Sequence, residues 1–261
     1  MTRPFNCLGS AIVVMIALVG AASAQDDLKP KVTRVSAAKG EMAMEVVLAD
    51  PSDSDAVAPS YAPSDRLMFE PWQMLDELFR PDIVLLMRHG PTDWSRRDVK
   101  GVAPDDCAHQ RLLSETGASS MRDLGILLSG NGIRPSKVVT SEWCRNRATV
   151  ANLVDGFHMI DADYANTLEV QSDSGTNLLL SLEGAATVTP LRELVSAWDG
   201  EGRDGPLLIV SHFTNIAEFT EFQVYEGEIL IVDPKRNNRV LGYLRLKSAS
   251  PDVGHFENTD Q

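Results

Sequence analysis

Two arginines and two histidines stand directly behind short apolar runs of the chain. Arg88 and His89 follow the first run, Arg145 comes shortly after the second, and His212 follows a later one. Guanidinium groups bind phosphate oxygens through paired hydrogen bonds. If the three runs lie side by side, these four side chains meet in one pocket that suits a phosphate dianion.

The apolar runs have the composition of strands that are buried on both faces. They alternate with segments of helical pattern, which predicts an α/β fold. We expect three layers, α/β/α, around a mostly parallel central sheet. In such sheets ligands bind outside the carboxyl ends of the strands. The predicted strands are 82–87, 137–140, 157–161 and 207–211, with a hairpin over 228–233 and 239–246; the predicted helices are 67–79, 115–129 (N-capped by Ser114), 145–154, 190–198 and 214–222.

Three motifs resemble those of the histidine phosphatase superfamily, which has the phosphoglycerate mutase-like fold. They are LLMRHGPTDWS around His89, SEWCRNRAT around Arg145 and LLIVSHFTNI around His212, in the order of that family. The stretch DDCAHQRLLSETG resembles its small exported bacterial branch. The resemblance covers about residues 80–247.

This resemblance implies a metal-independent phosphomonoesterase without a cofactor, acting on a small phosphorylated substrate. His89 would attack phosphorus and form a phosphohistidine, while Arg88, Arg145 and His212 would hold the phosphoryl oxygens. A carboxylic acid would protonate the leaving oxygen. Glu169 is the nearest positional match for that acid, and Asp93 and Glu218 are the alternatives.

Further side chains near the motifs are candidates for contact with the substrate, namely Ser95, Gln110, Arg111, Ser141 and Phe213. Phe213 stands where many relatives carry glycine, and Pro91 stands where the mutases commonly carry glutamate. We therefore expect hydrolysis rather than phosphoryl shuffling. The alternative is a degenerate phosphatase fold that binds a phosphorylated ligand or a protein partner without turnover.

The N-terminus has the pattern of a secretory signal peptide over residues 1–24, with Arg3, an apolar run and cleavage before Gln25. Residues 25–65 are expected to be a flexible extension, 66–248 the histidine phosphatase domain and 249–261 an acidic tail. The mature protein would be periplasmic or secreted, without a membrane span. Cys107 and Cys144 remain after cleavage and form either a disulfide or two buried thiols.

The composition limits the partners. The chain has 261 residues, 43% of them hydrophobic, and 37 acidic residues against 24 basic ones give a formal charge of −13. Nucleic acid and anionic lipid surfaces need a basic face, so neither is expected to bind.

Overall fold

The computed structural model describes residues 31–38, 41–47, 60–61, 63, 65–69, 75–179 and 188–252. These ranges contain ten strands and five α-helices. The strands are β1 Lys31–Ala38, β2 Glu41–Val47, β3 Ser60–Tyr61, β4 Leu67–Phe69, β5 Val84–Arg88, β6 Lys137–Thr140, β7 Glu169–Ser172, β8 Leu207–Ser211, β9 Ile229–Asp233 and β10 Arg239–Leu246. The helices are α1 Glu115–Gly130, α2 Cys144–Ile160, α3 Ala162–Thr167, α4 Thr189–Ser196 and α5 Phe213–Thr220.

One sheet runs through the fold in the order β1-β2-β4-β10-β9-β5-β8-β6-β7, with β3 beside β2. Only β5, β8, β6 and β7 are parallel to one another. The expectation of a mostly parallel sheet is therefore wrong, and the sheet is mixed. The physical reason is the β9–β10 hairpin, whose strands must reverse direction and which joins the sheet antiparallel to β5.

The two faces of the sheet are covered by different helices, as predicted. Leu85 and Met87 belong to a hydrophobic cluster with residues of α1 and α2. Val84 and Leu86 belong to a second cluster with residues of α4 and α5. All four side chains are fully buried. This alternation, with a period of two residues, is what a strand between two layers requires, and it confirms the three-layer α/β/α architecture.

Helix α1 begins directly after Ser114, the N-cap that the sequence predicts. The Ser114 hydroxyl accepts a hydrogen bond from the Gly117 backbone N–H at 2.9 Å. α1 then runs over Glu115–Gly130, which confirms the helix expected over 115–129. A serine in this position satisfies a backbone donor that has no partner within the helix.

Two predicted elements are wrong. The expected helix over 67–79 begins instead as β4, which pairs with β10, and residues Leu75–Phe79 form a 3-10 helix. Strand pairing supplies the backbone partners there and overrides the helical spacing. The expected strand over 157–161 is mostly the end of α2, because Leu153, Phe157 and Ile160 form one buried helical face.

The segment expected to be a flexible extension contains strands. β1 and β2 form an antiparallel hairpin, and β2 pairs with β4 at the edge of the sheet. These strands lie within the expected extension, whose flexibility stays a prediction. The predicted signal peptide and its cleavage site lie outside the described residues. Within the described ranges, no helix has the length and apolar character needed to cross a membrane.

Candidate active site

The central strands bring the three motifs together. β8 lies between β5 and β6 and is parallel to both, so their carboxyl ends meet at one edge. The chain after β5 stays in register with its neighbours: the Arg88 N–H donates to the Glu228 carbonyl at 3.0 Å, and the His89 N–H donates to the Ser211 carbonyl at 3.1 Å. The sheet thus fixes the backbone of both residues, which confirms the predicted convergence.

Gly90, the residue after His89, is held against α2 by Thr149. The Gly90 N–H donates to the Thr149 hydroxyl at 2.9 Å, and that hydroxyl donates to the Arg145 carbonyl at 2.7 Å. A Cβ on Gly90 would lie 2.5 Å from Cγ of Met121. Only glycine allows α1 to pack this closely behind the histidine.

His89 has the tautomer and charge of a nucleophile. It is 2% exposed, and its Nδ1 lies 3.0 Å from the Gly90 carbonyl. Since a carbonyl only accepts, Nδ1 carries the proton and Nε2 keeps its lone pair. Burial lowers the pKa of His89 well below its usual value, and the charges of Arg145 and Arg88 lower it further. The ring is therefore neutral at neutral pH.

His212 packs beside His89, with the ring centroids 5.6 Å apart. Its Nε2 lies 2.9 Å from the Ser141 hydroxyl, which itself donates to Oδ1 of Asn177 at 2.9 Å. Ser141 has one proton to donate, so it accepts the Nε2–H of His212. Burial, followed by the charges of Arg145 and Arg88, lowers the pKa of His212 well below its usual value. Ser141 therefore positions His212.

Arg145 stands in the first turn of α2 and is 2% exposed. Its Nη1 donates to Oδ1 of Asp98 at 3.0 Å, and its guanidinium carbon lies 4.7 Å from the centroid of the Trp143 ring. Burial lowers the pKa of Arg145, and the Asp98 carboxylate opposes that effect. The carboxylate and the ring fix the direction of the guanidinium group.

Arg88 is held by the loop before β9. Its Nη1 donates to the Val224 carbonyl at 2.9 Å, and its Nη2 donates to Oε1 of Glu226 at 3.4 Å. Its Nη2 also donates to Oδ2 of Asp252 at 2.8 Å. The Phe213 ring centroid lies 5.1 Å from the guanidinium carbon, so Phe213 lies beside this residue, and its contact with substrate stays a prediction.

Arg111 is the third arginine of the cluster. Its guanidinium carbon lies 3.7 Å from the centroid of the Trp94 ring, and its Nη2 lies 3.9 Å from Oε1 of Glu226. Its backbone N–H donates to Asp98 at 2.7 Å. Burial lowers the pKa of Arg111, which Glu226 and Asp98 oppose. This placement puts Arg111 in the arginine cluster, and its contact with substrate stays a prediction.

Glu226 and Asp98 are site residues that the sequence reasoning missed. Glu226 is 9% exposed and accepts hydrogen bonds from the Thr92 N–H and hydroxyl and from the indole N–H of Trp94. Asp98 joins Arg145 to the loop that carries Arg111. Both lie in loops without a motif, and no local pattern distinguishes them from surface carboxylates.

A disulfide between Cys107 and Cys144, with Cα atoms 5.6 Å apart, closes the site loop onto α2. The structure thus decides between the two states that the sequence left open. Gln110 makes the same connection, because its Oε1 accepts from the Cys144 N–H while its Nε2 donates to the Ala103 carbonyl. Gln110 is fully buried and engaged with backbone, so it positions the loop.

Glu169 does not lie at the site. It is the first residue of β7 and pairs with Lys137, the first residue of β6, so it lies at the amino ends of the parallel strands. Its carboxylate contacts Lys137 and Arg203, and Lys137 in particular lowers its pKa. The prediction of Glu169 as the acid is incompatible with this position at the opposite edge of the sheet.

The other predicted carboxylates are no better placed. Asp93 accepts hydrogen bonds from the Ser95 hydroxyl and N–H, which lower the pKa of Asp93. Ser95 is exposed and its hydroxyl is used in this turn, so the structure does not bring Ser95 to the arginines. Glu218 is exposed on α5.

Four buried nitrogens of the cluster have no hydrogen-bond partner among the described residues. They are Arg88 Nε, Arg145 Nε, Arg111 Nη1 and His212 Nδ1. Buried polar atoms in native proteins are nearly always paired, so the three arginine nitrogens, which are donors, indicate a site for a ligand that accepts hydrogen bonds. His212 Nδ1 is an acceptor, because the proton of this ring is on Nε2. Across the described ranges, no three His, Cys, Asp or Glu side chains are grouped to hold a metal ion.

Solved structures with related folds include phosphatases and a mutase. The chain is similar to the protein histidine phosphatase SixA complexed with tungstate, with 19% identity over 60% of this chain and 93% of that one, and a TM-score of 0.43. It is similar to a mycobacterial glucosyl-3-phosphoglycerate phosphatase, with 16% identity, 65% and 100% coverage and a TM-score of 0.41.

A phosphoglycerate mutase from Plasmodium falciparum shows 13% identity over 66% of this chain and 94% of that one, with a TM-score of 0.38. No family model matches the sequence, and no curated protein matches it.

Proposed function

We propose that this chain is a phosphomonoesterase of the histidine phosphatase type, with His89 as the nucleophile. One observation carries the proposal: a neutral, buried histidine with a free Nε2 lone pair lies among Arg88, Arg145 and His212. A neutral imidazole attacks phosphorus, and the surrounding donors stabilise the charge on the equatorial oxygens.

The reaction proceeds in two displacements. Nε2 of His89 forms a bond to phosphorus while the ester P–O bond breaks, and its electron pair leaves with the alcohol oxygen, which takes up a proton. Water then attacks phosphorus, the P–N bond breaks, the electron pair returns to Nε2, and the water gives up one proton to solvent, which balances the proton taken up by the alcohol. The products are the alcohol and inorganic phosphate. Positioning and charge stabilisation are the main work of the protein in such transfers.

The carboxylates next to the cluster favour esters with good leaving groups. Within the described residues, Asp98, Glu226 and Asp252 each lie within 4.0 Å of an arginine of the site. Since these carboxylates hold arginines, we expect weak assistance to the leaving oxygen. The value of kcat/KM should fall steeply from p-nitrophenyl phosphate to phenyl phosphate to an alkyl phosphate. A flat series would contradict this and would indicate an effective general acid.

The decisive experiment measures release of p-nitrophenol from p-nitrophenyl phosphate in EDTA. We expect turnover by the natural protein and none by His89→Ala. The matched control is His109→Ala, since His109 is exposed and pairs with Asp106. Alkali-quenched single-turnover samples should carry one phosphoryl group on His89. Loss of activity in EDTA would contradict metal independence, and full activity of His89→Ala would refute the proposal.

Binding without turnover is the second candidate. The contacts of Asp98, Glu226 and Asp252 with the arginines favour it, because carboxylates held in this way are poor proton donors to a leaving oxygen. If the folded protein binds inorganic phosphate but neither releases p-nitrophenol nor becomes phosphorylated, this candidate replaces the first.

We also propose that the protein is exported after cleavage before Gln25. The signal-like pattern of residues 1–24 supports this, and the Cys107–Cys144 disulfide is of the kind that persists in oxidising compartments. The exported protein should begin at Gln25 by N-terminal sequencing. A product that retains residues 1–24 would contradict cleavage.

A further inference from the structure

The chain after β10 turns back across the phosphate pocket. Ser248 is anchored by Asp65, which accepts hydrogen bonds from its N–H and its hydroxyl. The Ala249 N–H donates to the Leu246 carbonyl at 3.1 Å. The described residues that follow, 250–252, have no helix or strand. We call residues 248–252 the strap.

The last residue of the strap, Asp252, is bound to Arg88, one of the arginines proposed to hold phosphate. Oδ2 of Asp252 lies 2.8 Å from Nη2 of Arg88, and the two side chains are 6% and 3% exposed. Guanidinium groups recognise carboxylate and phosphate oxygens through the same donors. Asp252 therefore uses a hydrogen-bond donor that a phosphoryl oxygen would need.

The charges of the pocket indicate that Asp252 and a phosphate dianion compete for Arg88. Three arginines, Arg88, Arg111 and Arg145, face three carboxylates, and the two histidines are neutral. A phosphate dianion entering this neutral cluster would leave buried negative charge uncompensated, which is costly. With Asp252 withdrawn, the cluster carries one net positive charge.

Of the three segments that bring a carboxylate to the arginines, the strap is the one that can move away from the pocket. Asp98 and Glu226 lie on loops between elements of the core, whereas Asp252 follows the last described strand on a segment without helix or strand. The strap also lines a cavity of about 230 Å³ with Arg88 and Phe213, and one of about 300 Å³ with Thr92 and Trp94. Its withdrawal would open the pocket on both sides.

We propose that Asp252 is an internal competitor for Arg88, so that a phosphate ester binds only after displacing the strap. This rests on the phosphate-binding part of the proposed function and does not need turnover. The apparent affinity for phosphate is then reduced by the fraction of molecules with the strap open. Esters whose alcohol group also fills the strap's cavities gain over small esters.

The test measures the affinity for inorganic phosphate by calorimetry, together with kcat and KM for p-nitrophenyl phosphate. Asp252→Asn should bind phosphate about tenfold more tightly and show a KM lower by a similar factor, with kcat little changed. Asp65→Ala, which loosens the anchor outside the pocket, should shift both values in the same direction. Asp155→Asn on the exposed side of α2 makes the same change of charge and should shift neither.

Unchanged or weaker phosphate binding by Asp252→Asn would overturn the proposal. So would a loss of kcat that grows with the pKa of the leaving group without any gain in affinity, because Asp252 would then act as the acid. The two proposals fail separately. Tighter phosphate binding by Asp252→Asn without ester cleavage would support the role of the strap and contradict the phosphatase activity. Ester cleavage with a KM unchanged by Asp252→Asn would support the phosphatase activity and contradict the role of the strap.

Discussion

At the scale of single residues, the site depends on two histidines kept neutral by their surroundings. His89 and His212 are both buried beside arginines, and burial is the main cause of their lowered pKa values. His89 can serve as a nucleophile because its Nδ1 is tied to a backbone carbonyl. In the proposed function the arginines do two things: they bind the phosphoryl group, and together with burial they keep the attacking nitrogen free of a proton.

The pH dependence of activity should reflect this. The unprotonated form of His89 is the active one, and a lowered pKa means that this form persists below pH 6.5. We expect kcat/KM to stay level as the pH falls through about 6.5, with the acid limb at lower pH, after correction for ionisation of the substrate. An acid limb at or above pH 6.5 would contradict the assigned environment of His89.

Thr149 connects the nucleophile to the arginine of α2. Replacing it by valine keeps the shape but leaves the buried Gly90 N–H without its acceptor. We expect Thr149→Val to lower the free energy of unfolding by about 1–3 kcal/mol and to lower kcat/KM, since the loop behind His89 loses an anchor. Urea unfolding and steady-state kinetics check this. Thr167→Val, at an exposed threonine of α3, is the control and should change neither.

At the scale of elements, the site is an edge of the sheet closed by a long loop. Strands β5, β8 and β6 supply the backbone positions of the histidines and arginines. The loop between β5 and α1 supplies Asp98 and Arg111, and the disulfide and Gln110 hold this loop to the start of α2. Strand order alone therefore does not complete the pocket.

Removal of the disulfide should weaken both the fold and the pocket. The bond joins positions 37 residues apart, and cross-links of such length contribute about 2–4 kcal/mol. We expect the double variant Cys107→Ser, Cys144→Ser to lose about that much free energy of unfolding and to show a higher KM, because Asp98 and Arg111 lie on the freed loop. Adding reductant to the variant should have no further effect. Stability equal to that of the oxidised natural protein would contradict this role.

At the scale of the whole molecule, an acidic chain contains a cluster of three arginines at its candidate site. The formal charge is −13, so binding of an anion depends on the local cluster and not on the overall field. Keeping His89 and His212 neutral among these arginines has a consequence for stability. Below about pH 6.5 the unfolded chain takes up protons on both histidines, while the folded chain does not.

Stability should therefore fall with pH below about 6.5, by roughly 1.4 kcal/mol per pH unit for each of these histidines until its folded pKa is reached. Urea unfolding at a series of pH values between neutral and mildly acid measures the slope. His89→Gln should reduce the slope by the share of one histidine. A slope in His89→Gln equal to that of the natural protein would contradict the burial argument.

The sequence by itself determined the residues that follow the central strands. Arg88, His89, Arg145 and His212 could be predicted because apolar runs, caps and strand–helix alternation are local patterns. Right-handed crossover connections then bring the carboxyl ends of parallel strands to one edge. The three-layer architecture and the cap at Ser114 follow from the same local signals.

Tertiary structure alone decided which carboxylates and cysteines reach that edge. Arg88 contacts Glu226 and Asp252 across 138 and 164 residues of sequence. Glu169, chosen by its position after the second helix, lies at the other end of the sheet. Contacts of such separation depend on the paths of loops and on the antiparallel hairpin that ends the parallel part of the sheet. The hairpin itself could be predicted, but its place beside β5 and the paths of the loops leave no local signal, because both are set by packing against the completed core.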